Sequence, residues 1–242
     1  MAGLLVKQLV EAPRTCAYLP DRNASLEYRL MLDVEPDELD TMILRGWRRF
    51  GPIYFRPACA GCAQCVSIRL PADRFAPTAA QRRARRRCGR LHVTIGAPRL
   101  DEERLALHRA WHATREAARG WEPAALDAEG YFQQFAFPHP AGRELAFRDP
   151  AQGGRLVAVG LCDVTRRAMS AAYFFYDPSI ARLSPGVANV LLCVELARAQ
   201  GIPHVYLGYR VAGCPSMAYK AGFRPHELLD GLPAFDEEPV WR

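Results

Sequence analysis

Lysine is nearly missing from this 242-residue chain: thirty arginines stand against two lysines, Lys7 and Lys220. Such a skew follows genomic base composition, so arginine at any one position says little, whereas arginines gathered in one place say more. There is no run of about 18 apolar residues, which excludes a membrane-spanning helix. There is no G-x-x-x-x-G-K-[ST] stretch, which excludes an ATP loop of that type. Nor is there a serine or cysteine motif of the kind that carries a covalent acyl intermediate. Internal repeats and long linkers are also lacking. The opening "MAGLLVKQLVEAP" is broken by Lys7 and Glu11 and is followed by no cleavage site, so it does not read as a signal peptide. A cytoplasmic location is expected. There the eight cysteines are expected to be thiols or metal ligands and not disulfides.

What is present is half hydrophobic, as a globular protein requires. Acids are scarce in one place. Between Arg45 and Arg99 a single acid, Asp73, faces thirteen arginines, a local charge of +12 within a chain of net +6. A segment this basic calls for a polyanion. Its densest part, "QRRARRR", follows Thr78, a suitable helix N-cap. On a helix these arginines spread around most of the circumference, with no acid interleaved to pair with them. Phosphate contact is expected from Arg82, Arg83, Arg85 and Arg86. The run by itself does not separate tRNA from DNA.

"RPACAGCAQCVSIR" sets Cys59, Cys62 and Cys65 at three-residue intervals. The spacing places three soft ligands on one compact loop, with Ala60, Gly61 and Ala63 leaving room to wrap an ion. Arg56 and Arg69 flank the loop and are expected to lower the thiol pKa values. Zinc or an iron–sulfur cluster needs a fourth ligand. Cys16 in "TCAYLP" is the first candidate, Cys88 the second and His92 the third. Cys162 and Cys193 lie in apolar elements and are expected to be core. Cys214 stays open.

Alternation marks "EYRLMLDVEP", "IYFR" and "VSIRL" as strands, and "DELDTMILRGW" reads as a short helix ended by Gly46. "DEERLALHRAWHATREAARG" is the clearest helix, with acids in its first turn and Gly120 as its stop. "GRLVAVGLCDV" and "AMSAAYFFYDP" read as a hairpin joined at "TRR". A nearly all-apolar helix, "GVANVLLCVELARAQG", follows and should be buried. "HVYLGY" is then a strand, and "SMAYKAG" a short helix capped by Gly222. Strand, strand, buried helix, strand, helix is the order of the N-acetyltransferase-type fold. The expected class is therefore α+β, with such an acyltransferase core at 100–242. A basic, cysteine-containing region at 1–99 joins it in one functional unit.

An N-acetyltransferase holds the pyrophosphate of coenzyme A on an R-x-x-G-x-G/A turn before the buried helix. This chain has "RLSPGVA", one residue too long, and Pro185 removes a backbone donor. The turn argues against coenzyme A. "YLGYRVAGCPSMAYKAGFRPHE" places Tyr209, Tyr219 and Lys220 after a strand end, where such folds put their substrates.

Taken together, "CAYLP", "GWRRFGPIYFRPACAGCAQCVSIRL", "AQRRARRR", "AMSAAYFFYDP" and "YLGY…MAYKAGFRPHE" resemble the arginyl-tRNA–protein transferase family. The nearer likeness is to its bacterial branch, the aspartate/glutamate leucyltransferases, from about Cys16 to Glu227. The resemblance implies transfer of leucine (or arginine) from charged tRNA to an acidic N-terminus, marking that protein for degradation by the N-end rule pathway. It also implies zinc or an iron–sulfur cluster on Cys16, Cys59, Cys62 and Cys65, although transfer itself requires no cofactor. Phe50 stands where the family often has serine, "SPGVA" where it has "SLGTY", Arg210 where it has tryptophan, and "SM" where it has "KM".

The chemistry agrees with that reading. An aminoacyl ester is already activated, and an α-amine of pKa about 7.7–8.0 is partly neutral at pH 7. The protein must bring amine and ester together and stabilise an oxyanion. Tyr209, Tyr219 and Lys220 are the catalytic candidates. Arg48, Arg49, Tyr18 and Arg210 are the substrate-binding candidates, the arginines as partners for an acidic residue. Two other readings are a coenzyme A acyltransferase and a zinc-stabilised, non-enzymatic RNA-binding protein.

Overall fold

The computed structural model describes residues 3–119 and 126–242. The chain opens with β1 (Leu4–Val10), the short pair β2 (Arg14–Thr15) and β3 (Asn23–Ala24), and β4 (Leu26–Leu32). Helix α1 (Pro36–Leu44) starts on a proline, whose missing N–H costs nothing there. It stops before Gly46, which turns the chain at φ +83°. β5 (Arg48–Phe50) and β6 (Ile53–Pro57) complete a four-stranded antiparallel sheet in the order β1–β4–β6–β5.

The elements β7 (Val66–Pro71), α2 (Ala79–Cys88), β8 (His92–Gly96) and α3 (Glu102–Arg119) follow. Gly120, expected to end α3, lies outside the described residues. After α4 (Ala128–Tyr131) come β9 (Gly142–Asp149), β10 (Arg155–Val164) and β11 (Ala168–Tyr176). The buried helix α5 (Pro185–Ala199), β12 (His204–Arg210), α6 (Pro215–Ala218) and β13 (Glu227–Leu228) finish the fold. A seven-stranded sheet runs β13–β7–β12–β11–β10–β9–β8, and only β11 and β12 are parallel. This is a mixed α+β protein.

The expected hairpin of β10 and β11 is present, as are the buried α5 and the helix after Thr78. The Thr78 hydroxyl accepts from the Gln81 N–H at 3.2 Å, and the Gln81 side chain accepts from the Thr78 N–H at 2.8 Å. Ala84 and Cys88 form the buried face of α2, which packs on α5 and leaves the arginines on the outer faces. One core lies between the sheet and α5, with Ile68, Val157, Met169 and Val205 facing Leu191 and Val194. A second lies on the opposite face under α3, and a third joins α1 and the small sheet to Ala168 and Tyr206. Strands β7 and β8 lie in the same sheet as β9 to β12, so no break in the fold falls at residues 99/100. Strand β9, "GRELAFRD", escaped the sequence reading because both of its faces are covered and its apolar residues do not alternate cleanly. Among the described residues no helix is long and apolar enough to cross a membrane.

The core under α3 contains a histidine that the sequence does not mark. His108 is 1 % exposed, and among the described residues neither ring nitrogen has a hydrogen-bond partner. Its ring lies 4.2 Å from that of His112 and packs among Tyr131, Phe135 and Phe175. Burial, and then His112, push its pKa down to about 4. Folded His108 thus stays neutral down to about pH 4, while an unfolded imidazole takes a proton below about 6.5. Stability should fall as pH drops through that window. His108→Phe removes this term and two unsatisfied nitrogens, each costing about 1–3 kcal/mol. Its melting temperature should gain on the wild type by more at pH 5 than at pH 7.5. An equal offset at both pH values would rule out this origin.

Candidate active site at a splayed strand pair

β11 and β12 are paired over three positions only, Ala168↔His204, Met169↔Val205 and Ser170↔Tyr206. Beyond that point each strand carries an extra residue. On β11 it is Ala172, since Leu161 faces Tyr173 while Cys162 faces Ala171. On β12 it falls at Leu207–Gly208, between the pairs Tyr206↔Arg69 and Tyr209↔Ser67, with Gly208 at φ +74°. Bulges bend strands and raise their twist, so the two separate.

Arg48 of β5 enters the gap from the small sheet. Its Nη2 donates to the carbonyls of Ala171 at 2.8 Å and Ala172 at 3.1 Å, the two residues of the β11 bulge. A Cβ on Gly208 would stand 2.5 Å from Nη1 of Arg48 and force the guanidinium to shift, and the left-handed φ of +74° itself favours glycine. Nη1 itself is buried and has no partner among the described residues. Burial lowers the pKa of Arg48, yet a guanidinium does not lose its proton in a protein. The gap thus holds a fixed cation with one idle donor.

Lys220 lies beside it. Its Nζ donates to the Tyr209 carbonyl at 2.8 Å, and burial followed by the Arg48 charge pushes its pKa down to about 7. The Tyr209 hydroxyl points away, donating to the Gly46 carbonyl at 2.7 Å, and burial raises its pKa. It ties β12 to the small sheet. Tyr18 is near enough for Arg48 to act on it, but burial outweighs that charge and its pKa rises. Tyr219 is 54 % exposed with its ring edge-on to Phe223. Arg210 ends β12 with a buried, unpartnered Nε. Arg49 is turned from the gap and forms an ion pair with Asp163. The structure thus gathers Arg48, Lys220 and Tyr18 at the splay, and gives Tyr209 and Tyr219 other surroundings. The bulges and Gly208 were not found from sequence, where the only signal was a glycine inside "HVYLGY".

Most of the basic segment turns inward or is paired. Arg45 donates to the carbonyls of Ala234, Phe235 and Glu237 in the C-terminal tail. Arg56 pairs with Glu27, Arg69 and Arg74 with Glu227, Arg85 with Glu195, Arg90 with Asp149 and Arg99 with Asp101. Arg82 donates to the Pro77 carbonyl and Arg87 to Ser184. Among the described residues Arg83 and Arg86 have no such partner, and both are exposed. The surface open to a polyanion is therefore the outer face of α2.

Five of the eight cysteines, Cys16, Cys59, Cys62, Cys65 and Cys214, lie near one another. The β2–β3 hairpin carries Cys16, whose N–H donates to the Arg22 carbonyl at 2.9 Å. Ser25 donates its N–H to Cys59 Sγ at 3.5 Å, and Arg22 donates to Cys62 Sγ at 3.7 Å. Burial, then the thiols of Cys59, Cys16, Cys62 and Cys214, push Cys65 up to about 12. The expected lowering by Arg56 and Arg69 does not reach Cys65, because both arginines are engaged by glutamates. Cys214, left open by the sequence, joins this group. Cys88 instead donates to the Leu183 carbonyl under α2, and His92 sits exposed on β8. All eight thiols are free. Among the described residues no group of three or more His, Cys, Asp or Glu side chains is arranged to hold a metal ion.

Two family models match the chain. The N terminus of arginine-tRNA-protein transferase matches residues 14–83, and its C terminus matches residues 103–230. An aspartate/glutamate leucyltransferase of Halorhodospira halophila is 39% identical over 218 residues, covering 89% of this chain and 91% of that protein. The chain belongs to the arginine-tRNA-protein transferase family. Leucyltransferases of the same name from Chromohalobacter salexigens (38% identity, 90% of this chain and 88% of that one) and Helicobacter hepaticus (30%, 94% and 94%) resemble the transferase similarly. Among solved structures the transferase is loosely similar to FemX, with a TM-score of 0.46 and 9% identity, covering 86% of this chain and 79% of that one. L-PGS from Bacillus licheniformis has the same TM-score and 14% identity, covering 73% and 51%.

Arg48 lies in the N-terminal match and the splayed strands in the C-terminal one, so the transferase builds this site from both. Gly208→Ala is expected to expel the guanidinium. Aminoacyl transfer should fall at least tenfold, and the protein should lose about 1–3 kcal/mol of stability from a left-handed backbone and a displaced cation. Transfer rates and denaturant melts of the variant check this, and full activity would show that the insertion is dispensable.

Proposed function

We propose that the protein moves leucine from Leu-tRNA to the N-terminal amine of proteins beginning with Asp or Glu, marking them for N-end rule degradation. Its relatives, named aspartate/glutamate leucyltransferases and matched over nearly their full length, support this donor and acceptor. The observation that carries the site assignment is the idle Nη1 of Arg48 in the splay. The core is read as N-acetyltransferase-type, supported by the order β10–β11–α5–β12 and by the open strand pair.

In the reaction the acceptor's neutral α-amine attacks the ester carbonyl. The N–C bond forms, the C–O bond to the terminal ribose breaks, and the ribose hydroxyl leaves with a proton. Arg48 Nη1 donates to the developing oxyanion, a role suited to a donor already fixed in a dry site. Lys220, with a pKa near 7, takes the proton released by the amine and returns one to the leaving oxygen. No ATP is consumed, because the ester is already activated. Pro185 at the first turn of α5 speaks against coenzyme A as the donor. Arg83 and Arg86, with Arg82 beside them, meet tRNA phosphates, and the cytoplasm supplies the charged tRNA.

The test is transfer of radiolabelled leucine, and in parallel arginine, from charged tRNA to proteins beginning with Asp, Glu or Ala. Leucine should move to Asp and Glu only. Arginine moving instead would change the donor and keep the reaction, and tRNA binding without transfer would favour a binding module. Arg83→Glu/Arg86→Glu should weaken tRNA binding at least tenfold and flatten its salt dependence.

The donor set Cys16, Cys59, Cys62 and Cys65 suits zinc or an iron–sulfur cluster in its chemistry, being four soft sulfurs on adjacent loops. A bound metal would tie the β2–β3 hairpin to the 58–65 loop, a structural role separate from transfer. Metal analysis of purified protein should find about one zinc, or one cluster's iron, per chain. Cys59→Ser/Cys62→Ser should remove it, and an unchanged metal content would refute this ligand set.

A further inference from the structure

A narrow pocket opens between β5, β10 and β11. Phe50, Leu161, Phe135 and Tyr173 supply apolar lining; Arg49 and Asp163 supply two opposite charges, and Arg143, which donates to the Pro140 and Gly142 carbonyls, adds a second cation. Ala172 also lines it, and the Ala172 carbonyl is held by Arg48, so this pocket and the splay share a wall. The Asp163 charge reaches Arg48 as well.

The ion pair at the pocket is nearly dehydrated, its side chains 9 % and 5 % exposed. Such pairs return little net stability once desolvation is counted. Its hydrogen bonding is also unfinished. Arg49 gives Nη1 to the Gly51 carbonyl at 3.0 Å and Nη2 to Asp163, while its Nε is buried with no partner. Among the described residues Asp163 accepts from Arg49 alone, through one oxygen. A buried pair with a spare cationic donor and a spare anionic acceptor is complementary to a small ligand carrying an ammonium and a carboxylate a few ångströms apart.

The geometry points to this pocket as the seat of the acceptor's N-terminal residue, with Arg49 binding the side-chain carboxylate of Asp or Glu and Asp163 binding the α-amine. The assignment rests on the transfer reading above and names the residues that would make it selective. The ligand's carboxylate and ammonium would each meet a side chain of opposite sign. An N-terminal Asn or Ala brings no carboxylate and leaves Arg49 Nε unpaired, the situation in which polar sites discriminate most strongly. The amine is held beside the wall shared with Arg48, where the ester carbonyl is proposed to lie. Asp163 and Arg49 are positioning and specificity groups for the amine, and Lys220 remains the group that handles its proton.

Equilibrium binding of fluorescent peptides beginning with Asp, Asn or N-acetyl-Asp tests the pocket without tRNA, and leucyl transfer to the same peptides tests it in turnover. The wild type should bind the Asp peptide at least tenfold more tightly than either of the others. Arg49→Met should abolish the Asp-over-Asn preference, and Asp163→Asn the preference for a free over an acetylated amine. Both should raise the acceptor KM and leave the Leu-tRNA KM within twofold. Where a single change leaves a buried charge and unfolds the protein, Arg49→Met/Asp163→Leu removes both charges and should fold, bind Leu-tRNA and lack acid preference. A folded variant that keeps the preference, or a wild type without one, overturns the assignment. Selective binding of the Asp peptide with no leucyl transfer would instead retain the pocket and overturn the donor reading.

Discussion

The candidate active site depends on one arginine crossing from the small sheet into the large one. Arg48 satisfies the two carbonyls that the β11 bulge turns out of register, and Gly208 gives up a side chain to admit it. Without that cation the separated strands would present unpaired backbone groups to a gap, at a cost of about 1–3 kcal/mol for each one buried. With it, the gap is filled by a guanidinium that still has one unpartnered nitrogen among the described residues. A guanidinium suits the task because its planar fork serves two carbonyls on one side and keeps a nitrogen free on the other.

The same principle extends through the basic segment. Its arginines meet acids supplied by the rest of the chain: Glu27, Glu227, Glu195, Asp149 and Asp163. Arg45 caps the carbonyls of the tail, and Arg56 and Arg69 also lie over Trp47 and Trp241 at 4.7 and 4.3 Å. The local charge of the segment is thus largely neutralised by folding. What remains outward is concentrated on one face of α2, a narrower and more specific surface than the residue count implies.

Two charged neighbours on β5 end in different places because a strand sends successive side chains to opposite faces. Arg48 goes into the splay and Arg49 to the pocket beside it, with the Ala172 bulge between them. Arg48 thus holds the Ala172 carbonyl while Arg49 and Asp163 line a pocket to which Ala172 also contributes. The cysteine cluster lies close enough to this centre for Cys65 and Cys214 to act electrostatically on Lys220 and Tyr18.

Local pattern by itself determined much of this protein. Thr78 and Gln81 cap α2, the apolar run of α5 is buried, "TRR" joins a hairpin, and three cysteines at short spacing share a loop. These features depend on residues a few positions apart, whose geometry is set by helix and strand periodicity. The motif order also made the family legible, since it needs no knowledge of contacts. Only the tertiary structure decided which of thirteen arginines are scaffold and which are surface, that Cys214 lies with the cysteine cluster, and that Tyr209 is a tie between sheets. It alone placed Asp163 opposite Arg49 across 114 residues, and Arg48 opposite Gly208. The physical reason is that a charge or a bulge acquires its role from what it is buried against, and burial partners here come from distant parts of the chain.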